Sequence, residues 1–321
     1  MPEKDPKTVG QVGEFALIES LTDGLTMPPD VSIGPGDDAA TFTVDGECVV
    51  SVDMFIEGVH FRRNWCEPDD IGHKVVAAAM ADIEAMGANP LAIIVGLSLP
   101  RDTELSWVQL FNKGLRAECR AAGAGLIGGD ISGAPVIAIS VTAIGETTAV
   151  EPVQRKGARP GQVVAIAGRL GWASAGLAAL GRGFRSPKAV VDAYRIPAVP
   201  YGQGREAALC GASAMIDVSD GLIADLGHIA KKSGVAINLD SSAFEVPEPV
   251  VAVGQALGVD PLSYVLTGGE DHALAAIFDK ADVPASWRVV GQVMPKGAAE
   301  KGRVLVDGLD WAGTAGGWSH F

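Results

Sequence analysis

The chain of 321 residues carries 25 Lys and Arg against 39 Asp and Glu, a formal net charge of −14. That balance argues against nucleic acid or an anionic membrane surface as a general partner, because both call for a basic face. Hydrophobic residues at 48% and charged residues at 20% place it among globular rather than disordered chains.

At about 150 residues per domain the length predicts two domains. Mean hydropathy is positive, +0.25, yet the longest apolar runs, near residues 91–99 and 135–144, fall short of the ~18–20 residues that span a bilayer. The first seven residues lack the apolar core of a signal peptide. Cys48, Cys66, Cys119 and Cys210 are widely spaced and form no C-x-x-C pair, so reduced thiols and a cytoplasmic location are expected.

In chain order, residues 15–21 read as an amphipathic stretch, followed by a Gly- and Asp-rich loop over 33–40 and a strand over 48–53. Residues 69–87 predict a helix: Asp69 and Asp70 can cap it, Ile71, Val75, Ala79, Ile83 and Met86 share a face, and Gly87 stops it. A buried strand is expected over 91–99, a second long helix over 103–122, and a short strand at 126–127 that runs into a Gly128-Gly129-Asp130 turn. A further strand covers 136–144. The stretch 146–161, with Pro152, Gly157, Pro160, Gly161 and the local Arg and Lys residues, has the composition of a domain linker. The domains are therefore expected at 1–148 and 149–321. In the second, strands are expected at 162–167, 214–217, 235–239, 273–278, 288–293 and 303–306, with helices at 172–180 and 222–232. This alternation predicts an α/β or α+β architecture.

The chemistry-bearing residues are acids beside glycines at strand ends: Asp37, Asp38, Asp53, Asp82, Asp130, Asp217, Asp220, Glu270 and Asp271. Ser51 and Asp53 share one face of their strand by the two-residue period. Taken singly, turn or cap chemistry is the stronger reading of each acid. Taken together they would need cations. Two carboxylates about 4 Å apart repel by about 1 kcal/mol in water and about 4 kcal/mol near a protein surface. Oxygen donors of this kind select Mg²⁺, Mn²⁺ or Ca²⁺. The chain has no P-loop, no G-x-G-x-x-G after a strand, no G-x-S-x-G and no zinc-spaced histidines. The turn Gly168-Arg-Leu-Gly171 before a helix is a phosphate cradle in form, and a plain turn is its stronger reading.

Several stretches, in order, resemble the thiamine-monophosphate kinase family. They are Gly13-Glu-Phe-Ala-Leu-Ile18, Gly36-Asp-Asp-Ala-Ala40, Ser51-Val-Asp53, Glu57-Gly-Val-His-Phe61 and Ala81-Asp-Ile-Glu-Ala-Met-Gly-Ala88. Leu126-Ile-Gly-Gly-Asp130, Ile216-Asp-Val-Ser-Asp-Gly-Leu222, Asp225-Leu-Gly-His-Ile229, Gly268-Gly-Glu-Asp271 and Gly317-Trp-Ser-His-Phe321 continue the series. The family belongs to the superfamily of aminoimidazole ribonucleotide synthetase and selenophosphate synthetase.

The resemblance implies two α/β domains, the N-terminal ones pairing in a homodimer, several Mg²⁺ ions, and transfer of the ATP γ-phosphoryl group to thiamine monophosphate. It further implies Asp38, Ser51, Val52 through its backbone carbonyl, Asp53, Asp82, Asp130, Asp217 and Asp220 as metal ligands. Gly129, Asp130, Arg155 and Ser219 are the implied nucleotide contacts, and His60, Glu270 and Trp318 stand on the substrate side. No covalent nucleophile or general base is assigned. Three positions depart from the family pattern: Val52 for Thr, His272 for Tyr, and Ser319 for Asp. Alternatives are another ATP-dependent enzyme of the superfamily, of the selenophosphate synthetase or hydrogenase-maturation dehydratase type, and a non-catalytic acidic metal-binding protein.

Overall fold

A computed structural model describes residues 7–295 and 297–312. By its contacts the chain divides into two units, with Pro90–Glu146 in the first, Glu84–Asn89 in the second, and the main boundary between Glu146 and Thr147. That a six-residue piece from the N-terminal half packs with the second unit has no signal in composition.

The first unit runs α1 (Val9–Val12), α2 (Glu14–Thr22), β1 (Val31–Ile33), β2 (Thr41–Phe42), β3 (Cys48–Ile56), α3 (Pro68–Ala85), β4 (Asn89–Leu99), α4 (Leu105–Ala122), β5 (Gly125–Gly133) and β6 (Ala138–Glu146). Its main sheet has the order β3-β6-β4-β5, with β3 and β6 antiparallel and β4 and β5 parallel. Helix α3 is buried around its circumference: Ile71, Val75, Val76, Ala79, Met80 and Ile83 are each 0% exposed. The single apolar face read from sequence thus understates it. Each large side chain so buried contributes roughly 1.5–3 kcal/mol. In α2 only Leu17 is buried while Phe15 is 84% exposed, so the described residues cover the expected apolar face only in part.

Strand β5 corrects a sequence expectation. Gly128, Gly129 and Asp130 do not form a turn; they continue the strand to Gly133, with Gly129 opposite Val95 and Asp130 opposite Gly96. A register shift at Ile93/Ile94 lets the ladder absorb one extra residue. Glycine at 129 is required by close approach, since a Cβ there would lie 2.3 Å from the Val95 carbonyl oxygen.

The second unit continues with β7 (Val163–Ala167), α5 (Trp172–Gly181), α6 (Lys188–Arg195), α7 (Gln203–Leu209), β8 (Ala214–Val218), α8 (Leu222–Ser233) and β9 (Ile237–Leu239). It ends with α9 (Glu248–Leu257), α10 (Pro261–Thr267), β10 (Ala273–Phe278), β11 (Arg288–Val293) and β12 (Val304–Val306). Its six-stranded sheet, β12-β9-β11-β7-β10-β8, is antiparallel except between β12 and β9. Alternate residues feed two cores. Val164, Ile166, Ile216, Val218, Ala275 and Ile277 pack with α8, while Ala165, Met215, Leu274, Ala276 and Phe278 pack with Val153 and Ala207. Strands covered on both faces show continuous apolar runs, which is how β7, β8 and β10 appear in the sequence.

The expected linker contains no regular element between Thr147 and Gln162, but it is packed rather than free. The Val153 N–H donates to the Met86 carbonyl at 2.9 Å, and the Met215 N–H to the Gln154 carbonyl at 3.1 Å. Helices α6, α7, α9 and α10 have no counterpart in the sequence expectation, and prolines 187, 200, 249 and 261 lie at or near their starts. Three of these four residues stand at a helix start, Pro187 at the N-cap of α6 and Pro249 and Pro261 in the first turns of α9 and α10. There a missing N–H costs nothing.

Candidate active site

In the first unit, β3 places Ser51 and Asp53 on one face and Val50, Val52 and Met54 on the other, where the latter three are exposed. Ser51 donates its hydroxyl to Asp82 Oδ2 on α3 at 2.5 Å, so strand and helix bring those two residues together. Asp38 lies exposed in the loop between β1 and β2. Beyond β3, His60 is fixed by its backbone neighbour: the Ile56 N–H donates to its Nδ1 at 3.0 Å. A neutral ring with Nδ1 accepting carries its proton on Nε2. Asp130, on β5, is separated from β3 by β6 and β4, about 14 Å at the usual strand spacing, and accepts the Ser132 hydroxyl at 3.1 Å. Within this unit the fold therefore joins Ser51 to Asp82, with Asp53 on the same face, and leaves Asp130 at the far edge of the sheet.

In the second unit Asp217 is the penultimate residue of the buried strand β8 and is 4% exposed. Ser219 and Asp220 form the turn into α8, and the loop 268–272 lies over that turn. The Glu270 N–H donates to the Ser219 carbonyl at 2.8 Å and the His272 N–H to the Val218 carbonyl at 3.0 Å. Gly269 is pressed so closely that a Cβ would lie 2.2 Å from the Ser219 oxygen. Asp217, Ser219, Asp220 and Glu270 are thus brought together. His272 Nδ1 stands 3.3 Å from Asp217 Oδ2 with its ring buried, so the Tyr-to-His departure falls beside a candidate metal ligand. Arg155 lies in the packed linker, its side chain exposed and its carbonyl accepting the Ser233 hydroxyl at 3.4 Å. Trp318 and Ser319 lie outside the described residues.

Sequence reasoning missed a recurring device in this unit. Helices α5, α7 and α8 each start from a glycine N-cap, Gly171, Gly202 and Gly221, with no side chain to satisfy the first N–H groups. A buried carboxylate does so in each case, from a distant part of the chain for α5 and α7 and from the helix's own first turn for α8. Asp271 accepts Gly171 N–H at 2.5 Å and Ala173 N–H at 2.8 Å. Glu84 accepts Gly202 and Gly204 N–H at 2.8 and 2.9 Å. Asp225 accepts Asp220 and Gly221 N–H at 3.1 and 3.0 Å. Burial pushes the Asp271 carboxyl up to about 7 against the pull of those N–H groups. Burial, reinforced by the Asp217 charge, does the same for Asp225, also to about 7, and burial raises Glu84. Asp271 occupies the place at the start of α5 that a phosphate would take, so Gly168–Gly171 is a plain turn, with the Arg169 guanidinium 5.0 Å over the Trp172 ring.

The donor set fits a hard cation in kind, since carboxylate and hydroxyl oxygens dominate it. Among the described residues, no three His, Cys, Asp or Glu side chains converge as a preformed cage. Nor do the predicted residues line the cavity of about 560 Å³ between residues 149–154 and Leu209, Ala212 and Ser213. No single helix among the described residues is long and apolar enough to cross a membrane.

Residues 36–147 match the family model of the AIR synthase related protein, N-terminal domain, and residues 159–301 that of the AIR synthase related protein, C-terminal domain. The chain is 45% identical to thiamine-monophosphate kinase of Mycobacterium tuberculosis over 98% of its own length and 93% of that protein. It is 38% identical to the Corynebacterium glutamicum enzyme of the same name over 90% and 88%. The solved structure of AaThiL complexed with AMPPCP and TMP superposes with a TM-score of 0.76 at 29% identity, covering 97% of this chain and 98% of that one. With both domains matched and this identity sustained along the chain, the protein belongs to the thiamine-monophosphate kinase family and has its two-domain AIR synthase-related fold.

Proposed function

We propose that the protein transfers the γ-phosphoryl group of ATP to the phosphate of thiamine monophosphate, giving thiamine diphosphate and ADP. The observation that carries this reading is the 45% identity over nearly the whole chain to a thiamine-monophosphate kinase. The matched AaThiL structure is itself a complex with AMPPCP and TMP.

Gly129, Asp130, Arg155 and Ser219 are assigned to the nucleotide, and His60, Glu270 and Trp318 to thiamine monophosphate. Asp38, Ser51, the Val52 carbonyl, Asp53, Asp82, Asp130, Asp217 and Asp220 are the residues that would hold Mg²⁺. When bound, Mg²⁺ neutralises the charge that would otherwise keep two phosphate-bearing substrates apart. The acceptor oxygen is already ionised at neutral pH, so the chain needs no general base, and its work is positioning and charge stabilisation. His60, with Nδ1 engaged by Ile56, offers an Nε2–H donor suited to a phosphate oxygen. Arg155 offers a cation on a backbone held at both sides.

The protein acts as a homodimer in this reading. Val50, Val52 and Met54 leave an apolar stripe on β3, 59%, 61% and 52% exposed, that a second copy would cover. An ATP-dependent enzyme with free thiols fits the cytoplasm. The test is incubation with ATP, Mg²⁺ and thiamine monophosphate. Thiamine diphosphate should form and should stop forming when EDTA removes the metal; no product with active-site residues intact would refute the reading.

A further inference from the structure

The loop that carries Glu270 holds two non-glycine residues in left-handed backbone conformations, Glu270 at φ 65° and His272 at φ 52°. Such residues cost energy and persist where the surroundings over-determine them. Between them sits Asp271, 5% exposed, whose two carboxylate oxygens take the Gly171 and Ala173 N–H groups at 2.5 and 2.8 Å. These partners lie about a hundred residues earlier, at the start of α5, where the glycine cap supplies no side chain. The flanking residues are tied to a different element: Glu270 and His272 donate their N–H groups to Ser219 and Val218 at the end of β8. Side chain and backbone thus anchor the loop on two sides.

We propose that Asp271 is a positioning residue for the reaction: its clamp on α5 holds the backbone of Glu270 and His272 so that Glu270 meets the substrate and His272 stays against Asp217. This rests on the assignment of Glu270 to thiamine monophosphate made above. Asp271 touches no reacting atom and acts through its neighbours.

Asp271→Asn tests it. The near-isosteric amide keeps one acceptor but sets an NH₂ donor against one of the two N–H groups. Asp271→Asn should raise the KM for thiamine monophosphate roughly tenfold and leave kcat and the KM for ATP within about twofold. In a Glu270→Ala background, adding Asp271→Asn should change the KM for thiamine monophosphate by less than about twofold, because the residue acts through Glu270. Ala173→Pro removes one clamped N–H in a first turn that tolerates proline. It should shift the same KM in the same direction by a smaller factor, and it decides the matter should Asp271→Asn not fold.

Full additivity with Glu270→Ala, or equal losses in both KM values and kcat, overturns the positioning role while leaving the kinase assignment intact. Should Glu270→Ala leave the KM for thiamine monophosphate unchanged in an active enzyme, the placement of Glu270 fails, and the proposal with it.

Discussion

The acids of the two units differ in what they face. In the first unit Asp38 is exposed, Asp53 and Asp82 are half-buried, and the hydrogen bonds described for Asp82 and Asp130 come from serine hydroxyls. In the second, Glu84, Asp225 and Asp271 are nearly inaccessible and each satisfies two N–H groups at the start of a helix. An open carboxylate with a hydroxyl neighbour stays available to a hydrated cation, whereas a buried one bound to amides is committed to shape. The acids of this chain thus stand in two kinds of surroundings, and substitutions should separate the roles proposed for them.

The largest expected effect is on the open set. Asp130→Asn should lower kcat/KM roughly 10²–10³-fold, the range for losing one charge-stabilising group, while the melting temperature stays within a few degrees of wild type. Near-normal turnover would erase the functional side of the comparison.

The committed set should answer in stability. Asp225→Ala and Glu84→Ala each strand two backbone N–H groups, at about 1–3 kcal/mol per group, and urea unfolding should register the loss. pH offers a finer probe. The folded chain keeps a proton on Asp271 up to about 7, whereas the unfolded chain releases it near 4. The folded state therefore binds the extra proton between those values, and this contribution to stability falls as pH rises through that window and levels off above it. In EDTA, the stability of wild type relative to Asp271→Asn should decline from pH 5 to pH 8, with a slope of at most about 1.4 kcal/mol per pH unit. A difference that grows with pH would reverse the assignment.

Smaller effects concern the outer face of β3. Met54→Lys should shift sedimentation from dimer to monomer, and an unchanged dimer would place the interface elsewhere. Val52→Thr should change kcat/KM by less than about twofold, because the side chain at 52 points away from Ser51 and Asp53. A tenfold gain would mean that a hydroxyl at this position reaches the metal side.

Much of this was legible in the residues. β10 and β11 cover the expected residues 273–278 and 288–293, and the αL glycine Gly234 stops α8 as its position suggests. Of the acids expected at strand ends, Asp217 lies next to the end of β8, whereas Asp53 and Asp130 stand within β3 and β5 and Asp82 within α3, because both strands run on past the residues where the sequence pattern stops. The rest was hidden for physical reasons. The caps on α5 and α7 come from residues about a hundred positions away, so neither helix has a local capping box to find. Prolines at first turns masked α9 and α10, and the glycines of β5 imitated a turn because only the approach of Val95 requires one of them. The pairing of Ser51 with Asp82 joins a strand to a helix and is invisible to any period.

The most direct measurement follows the label from γ-³²P-ATP in a reaction with Mg²⁺ and thiamine monophosphate. Direct transfer predicts label in thiamine diphosphate, with ADP formed in equal amount. Label released as inorganic phosphate with thiamine monophosphate unchanged would contradict the account.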